Sequence, residues 1–134
     1  MQVSPYLFFN GNAGAALDFY QTVLGAEVTF RHTVAESPVA ADFPAEAQAN
    51  IMHASLKIGD STIMLSDGCP GQPAPAMQGC ALTIAVDDLA RGEQIFNALA
   101  VGGSVCMPFA ATFWAKGFGH VNDQYGVSWM INVE

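Results

Sequence analysis

The feature that most constrains the fold is an internal repeat: the order strand, helix, strand, strand, strand is read twice, on either side of a stretch rich in proline and glycine. In the first cycle Val3 to Phe9 has strand composition, shortened by Pro5, and Asn10 to Asn12 break it. Asn12 is placed to cap a helix with Ala16, Tyr20, Val23 and Leu24 on one stripe, and Gly25 to end it. Glu27 to Val34 alternates, putting Val28, Phe30, His32 and Val34 on one face and Thr29, Arg31 and Thr33 on the other. Ala35 to Asn50 has no clear period and is long for a connection, which makes it a candidate lid or subunit contact. Ile51 to Ile58 and Thr62 to Ser66 flank Gly59, Asp60 and Ser61 as a hairpin.

The second cycle opens with Leu82 to Val86. Asp87 or Asp88 caps a helix carrying Leu89, Ile95, Phe96 and Leu99, with Gly102 and Gly103 at its end, and Ser104 to Met107, Thr112 to Val121 and Val127 to Val133 supply three strands. Ile63 to Ser66 and Trp129 to Asn132 match as the closing strands of the two cycles. The expected fold is α+β: two tandem βαβββ modules, about 1–67 and about 80–134, joined by a connector at about 68–79, forming an open, curved mixed sheet with a concave cleft.

Composition bounds the partners. With 134 residues, half of them hydrophobic and only 12% charged, the chain fits one domain whose apolar surface is partly covered by a second copy, so a homodimer is expected. The net charge of −8 sets twelve acids against Arg31, Lys57, Arg91 and Lys116, with no basic cluster for phosphates, so neither nucleic acid nor an anionic membrane is an expected partner. No apolar run approaches the ~20 residues of a membrane span, and MQVSPYLFF lacks the layout of a secretory signal. Cys69, Cys80 and Cys106 are odd in number and in no metal-ligand spacing, which suits reduced thiols in a cytoplasm.

The C-terminal run from Thr112 to Val133 holds both tryptophans and reads as the aromatic wall of any ligand site. Alternation sets Trp129 opposite to Met130, so with Met130 in the cleft Trp129 packs under a helix, while Trp114 is left to stack on a planar ligand.

PYLFFNGN at Pro5 to Asn12, DFYQTVLGAE at Asp18 to Glu27, HASLKIGDSTIMLSD at His53 to Asp67 and FWAKGFGHVNDQYGVSWMIN at Phe113 to Asn132 resemble the vicinal oxygen chelate superfamily of glyoxalase I, bleomycin and fosfomycin resistance proteins and extradiol dioxygenases, in its PhnB-like branch. The resemblance implies paired βαβββ modules, a dimer and a small molecule bound in a cleft lined by Leu7, Phe9, Met64, Trp114 and Met130. Metal-dependent members of the superfamily carry His or Glu ligands on the first and last strand of each module; Pro5, Met64, Cys80 or Ala81, and Met130 stand at those places here. Thioethers and at most one thiol hold a hard or borderline divalent ion poorly, so no metal is expected. The branch also bears a name taken from ubiquinone demethylation products and methyl transfer. NGNAG at Asn10 to Gly14 lacks the spacing of a nucleotide-binding turn, and no cofactor is expected.

Three residues are candidates for proton transfer. His53 opens one hairpin strand and Asp67 ends the other, so they would make an acid and base pair; the plainer reading is a strand-end histidine and a loop-capping aspartate. His120 lies near Asp123 across a turn, where an aspartate more often bonds its own backbone. Met64 and Met130 suit a cavity lining, and Cys80 has no histidine nearby in sequence to activate it. A metal-free small-molecule binder is the leading reading. The alternatives are a lyase, isomerase or dioxygenase-type enzyme using His53, Asp67, His120 or an unrecognised metal site, and an interaction subunit with a vestigial cleft.

Overall fold

The computed structural model describes residues 1–69 and 71–134, so one position of the expected connector lies outside the described residues. Two compact units, Met1–Pro75 and Ala76–Glu134, each hold one long helix and one four-stranded sheet. The class is α+β with a repeated βαβββ module, and each sheet is mixed and open.

In the first unit the elements are β1 (Tyr6–Phe8), α1 (Ala13–Leu24), β2 (Glu27–Thr33), β3 (Ile51–Ile58) and β4 (Ser61–Ser66). The sheet runs β1-β4-β3-β2, with β1 parallel to β4 and the other pairs antiparallel. Strand β1 is shorter than Val3 to Phe9 because Pro5 has no N–H for the ladder, although its carbonyl accepts from the Met64 amide at 2.9 Å. Gly59 turns the β3–β4 hairpin at φ 58° and Gly25 ends α1 at φ 64°, both in the left-handed region that glycine enters without cost. Ala13, Ala16, Leu17 and Tyr20 of α1 are buried, and the helix packs on β2 and β3.

Asn12 does not cap α1 with its side chain. Its Oδ1 accepts instead from the Asn10 amide, and the free amide of Ala13 donates to Asp67, a residue more than fifty positions later. Three 3₁₀ turns, Val34–Glu36, Ala40–Asp42 and Ala45–Ala47, occupy the segment that had no period. They are sewn together by the Gln48 amide, which donates to the carbonyls of Ala40 and Phe43 at 2.8 and 3.1 Å, and the segment's ends meet where Val34 donates to Asn50.

The second unit repeats the plan as β5 (Leu82–Val86), α2 (Leu89–Ala100), β6 (Ser104–Ala110), β7 (Gly117–Asn122) and β8 (Ser128–Val133), in the order β5-β8-β7-β6 with β5 parallel to β8. Asp88 caps α2 by accepting from Ala90. Strand β6 runs beyond Met107 to Ala110, with register shifts on either side of Met107 and with Pro108, which cannot donate, in the second of them. Thr112 to Lys116 is a loop rather than strand: the Thr112 hydroxyl accepts from the Ala115 amide, the Thr112 amide donates to the Ala115 carbonyl, and the ladder resumes only where Lys116 donates to Val133.

Candidate functional site

Each sheet has one face under its helix and one without a helix, and alternation sorts the candidate residues between them. In the first module, Leu7 stands in register with Leu65 and Leu65 with Ala54, and all three are buried; Phe9 is buried as well. Leu7 and Phe9 therefore belong to the core and not to a ligand-lining face. Tyr6 and Phe8, which point the other way, are 37% and 50% exposed. Four consecutive apolar residues hide the alternation in sequence, and only the parallel pairing with β4 decides which two face outward.

The helix-free face of this module carries the row Tyr6, Met64, Ser55, Phe30 across all four strands, with His53 beside His32 in the next row. Tyr6 reaches from β1 to β3, where its hydroxyl hydrogen-bonds His53 Nδ1 at 2.9 Å. Its ring lies 5.6 Å from the imidazole and 5.0 Å from Phe8. Phe30 stands 5.6 Å from His53 and 5.9 Å from His32, so one phenyl ring joins the two imidazoles. His32 donates from Nε2 to the Glu36 carbonyl at 2.9 Å, since a carbonyl can only accept. Glu36 accepts from the hydroxyl and amide of Thr33, and these bonds, the hydroxyl's first, hold its carboxyl below the ordinary carboxylate range.

Asp67 is not brought to His53. Its Oδ1 accepts from Gly11 and Ala13 at 2.8 and 2.9 Å, its Oδ2 from Ile51 at 2.7 Å, and it is 7% exposed. A carboxylate holding three backbone N–H groups ties the β1–α1 turn to the start of β3 and has no role left as a base. Beside it lies a recess of ≈ 280 Å³ whose walls include Asn10, Glu46, Asn50 and Cys69 and hold no aromatic ring.

In the second module Thr83, Met130, His120 and Met107 form one row of the helix-free face. Cys80 and Ala81 precede β5, so Thr83 rather than either of them stands next to Met130. His120 bonds the Ser128 hydroxyl through Nε2 and not Asp123. Asp123 accepts from the amides of Tyr125 and Val127 and, at 2.8 Å, from the Trp129 indole. Trp129 is 1% exposed, opposite in alternation to Met130. Trp114 is 53% exposed and meets Phe118 edge-on at 5.3 Å.

Neither group suggested by kinship fits these residues. The places of the superfamily's metal ligands offer a proline, two thioethers and a threonine hydroxyl, a poor donor set for a divalent ion. Among the described residues no three His, Cys, Asp or Glu side chains gather to hold one. A nucleotide-type methyl donor would need free amides at the β1–α1 turn, and those of Gly11 and Ala13 are already bonded to Asp67.

Residues 1–132 match the family model described as 3-demethylubiquinone-9 3-methyltransferase, and the chain belongs to that family. It is 39% identical to Protein YjdN of Escherichia coli (strain K12) over 99% of this chain and 95% of that protein. Protein PA1353 from Pseudomonas aeruginosa superposes with a TM-score of 0.91 at 42% identity, covering 100% of this chain and 98% of that one. A glyoxalase-related enzyme from Fulvimarina pelagi shares the fold, with a TM-score of 0.67 at 16% identity over 100% of this chain and 89% of that one.

Proposed function

We propose that this member of the family binds a small aromatic molecule on the helix-free side of its sheets, without a divalent metal. The observation that carries the reading is the aromatic surface left exposed on the helix-free face of the first module, Tyr6, Phe8 and Phe30; the second module, taken by itself, exposes Met107 and, beside Phe118, Trp114. Water is a poor covering for such surface, and aromatic faces with a few polar groups suit a planar ligand. The family's name implies a methyl transfer, for which the Asp67-bonded turn gives no support.

The test is a thermal-shift screen of aromatic, phosphonate and thiol-conjugated compounds, because only a ligand of the native state raises the melting temperature by mass action. Hits should also quench the exposed Trp114 while leaving the buried Trp129 emission unchanged. A screen without stabilising compounds overturns the reading. Elemental analysis should find no stoichiometric zinc, nickel, iron or manganese, and one equivalent lost on Met130→Ala would overturn the metal-free part.

A second reading, an isomerase or lyase, is favoured by one observation: the exposed Tyr6–His53 pair is a proton-carrying couple. Turnover of a screening hit by the wild type but not by His53→Gln would establish it. We also propose a homodimer, from the same exposed apolar side chains, with an interface of about 1,200 Å² or more; a monomer mass in light scattering at micromolar concentration rejects it. The three free, exposed thiols suit a reducing cytoplasm. Among the described residues no helix is long and apolar enough to cross a membrane.

A further inference from the structure

On the first module's helix-free face, two imidazoles stand side by side on neighbouring strands, and each has one ring nitrogen committed to the protein. His53 uses Nδ1 with the Tyr6 hydroxyl, which leaves Nε2 without a partner among the described residues. Tyr6 and Phe30 flank it with aromatic surface, and Phe8 stands against Tyr6 at 5.0 Å. The tyrosine thus holds the imidazole in place, and the remaining nitrogen is a polar point beside these rings.

We propose that His53 Nε2 accepts the hydroxyl of a planar phenol or enol that lies against Phe8 and Phe30, with Tyr6 as the residue that positions the imidazole. The inference rests on the small-molecule reading above and names its ligand class. A neutral hydroxyl donor is favoured over an anion by the charges around the site. The protein carries a net charge of −8, and the Glu36 carboxylate, kept ionised by Thr33, belongs to the turn that also holds His32. Nothing from β4 offsets this, since it contributes Met64 and Ser66; β1 contributes the Tyr6 phenol; and Lys57, on the same strand as His53, stands in register with Glu27 of β2. In the phenol-binding tautomer Nδ1–H donates to the Tyr6 oxygen, so that Nε2 is a bare acceptor; in the other tautomer Tyr6 donates to Nδ1 and Nε2–H can only donate, and the phenol would then show no preference over the ether.

The probe is 2-naphthol, which stays an un-ionised phenol at neutral pH and whose fluorescence reports the state of its hydroxyl, compared with 2-methoxynaphthalene, which has the same rings and no proton to give. The wild type should bind the phenol about tenfold or more tightly than the ether, the difference one hydrogen bond makes. His53→Phe, which keeps a planar ring and has no acceptor nitrogen, should bring phenol binding down to that of the ether, Tyr6→Phe should reduce the preference, and Phe30→Leu should weaken both compounds alike. Equal binding of phenol and ether, or a preference untouched by His53→Phe, overturns the assignment while leaving the small-molecule reading standing. If neither compound binds and the broader screen also yields nothing, both fall; if neither binds but other aromatics do, only the phenol assignment falls.

Discussion

The two modules share a topology and a helix length, yet they close their cores by opposite means. The first keeps large side chains buried on both its helix and its sheet, Leu17 and Tyr20 of α1 and Leu56, Ile63 and Leu65 of β3 and β4. The second removes side chains where helix and sheet meet. A Cβ on Gly92 would lie 2.5 Å from Val133, and one on Gly119 would lie 2.6 Å from Phe96, so the rings of Phe96 and Phe109 sink to the backbone of β7. Their buried carboxylates differ in the same sense. Asp67 joins three backbone amides far apart in the chain, whereas Asp123 serves its own hairpin turn and one indole. One connectivity thus tolerates two packing solutions, provided that each orphaned donor finds an acceptor.

The largest expected effect tests the second module. Trp129→Ala should cost about 4 kcal/mol, from the void and from the Asp123 oxygen left without its indole. Denaturant titration measures it, and hydrogen exchange should locate the lost protection in β7 and β8. Asp67→Ala, the counterpart in the first module, should cost about 3 kcal/mol by leaving buried amides unpaired, with protection lost around α1 and β3 instead. If the two variants lose protection over the same residues, the separation drawn between the modules fails. Gly119→Ala should cost about 1 to 3 kcal/mol through overpacking, whereas Ala54→Gly at the buried centre of β3 should cost only the usual strand-glycine penalty of about 1 kcal/mol. The smallest effect is Glu36→Gln. Its folded-state pKa is lowered, so its stabilisation is present above the ordinary carboxylate value of 4.5 and is lost as pH falls through the folded value; wild type and variant should differ in melting temperature at neutral pH and converge in acid.

The comparison also marks where sequence reasoning stops. Alternation and turn residues define the order of elements in both modules because these signals are local, and the alternation around Met130 is enough to bury Trp129. Asp67 shows the limit: its proximity to His53 in the hairpin pattern suggests chemistry, but its partners Gly11 and Ala13 are joined to it only by the parallel pairing of β1 with β4. Tyr6 is missed for the same reason. Its bond to His53 crosses an intervening strand, and no local period encodes a reach of that kind.

That parallel pairing has a further consequence, in time rather than space. β3 and β4 meet through the two-residue turn at Gly59 and Asp60, but Tyr6 of β1 must wait for Met64 to be made before it has a neighbour. β5 waits likewise for β8, at the end of the second module. The first strand of each module is therefore an edge that joins last, after the loop-closing cost of its long connection has been met by the hairpins. Leu7→Ala should accordingly hasten unfolding and leave the refolding rate near that of the wild type. Until the fourth strand emerges from the ribosome, Tyr6 and Phe8 travel as an uncovered aromatic segment, and the nascent chain's window for misassembly is set by the synthesis of those intervening residues.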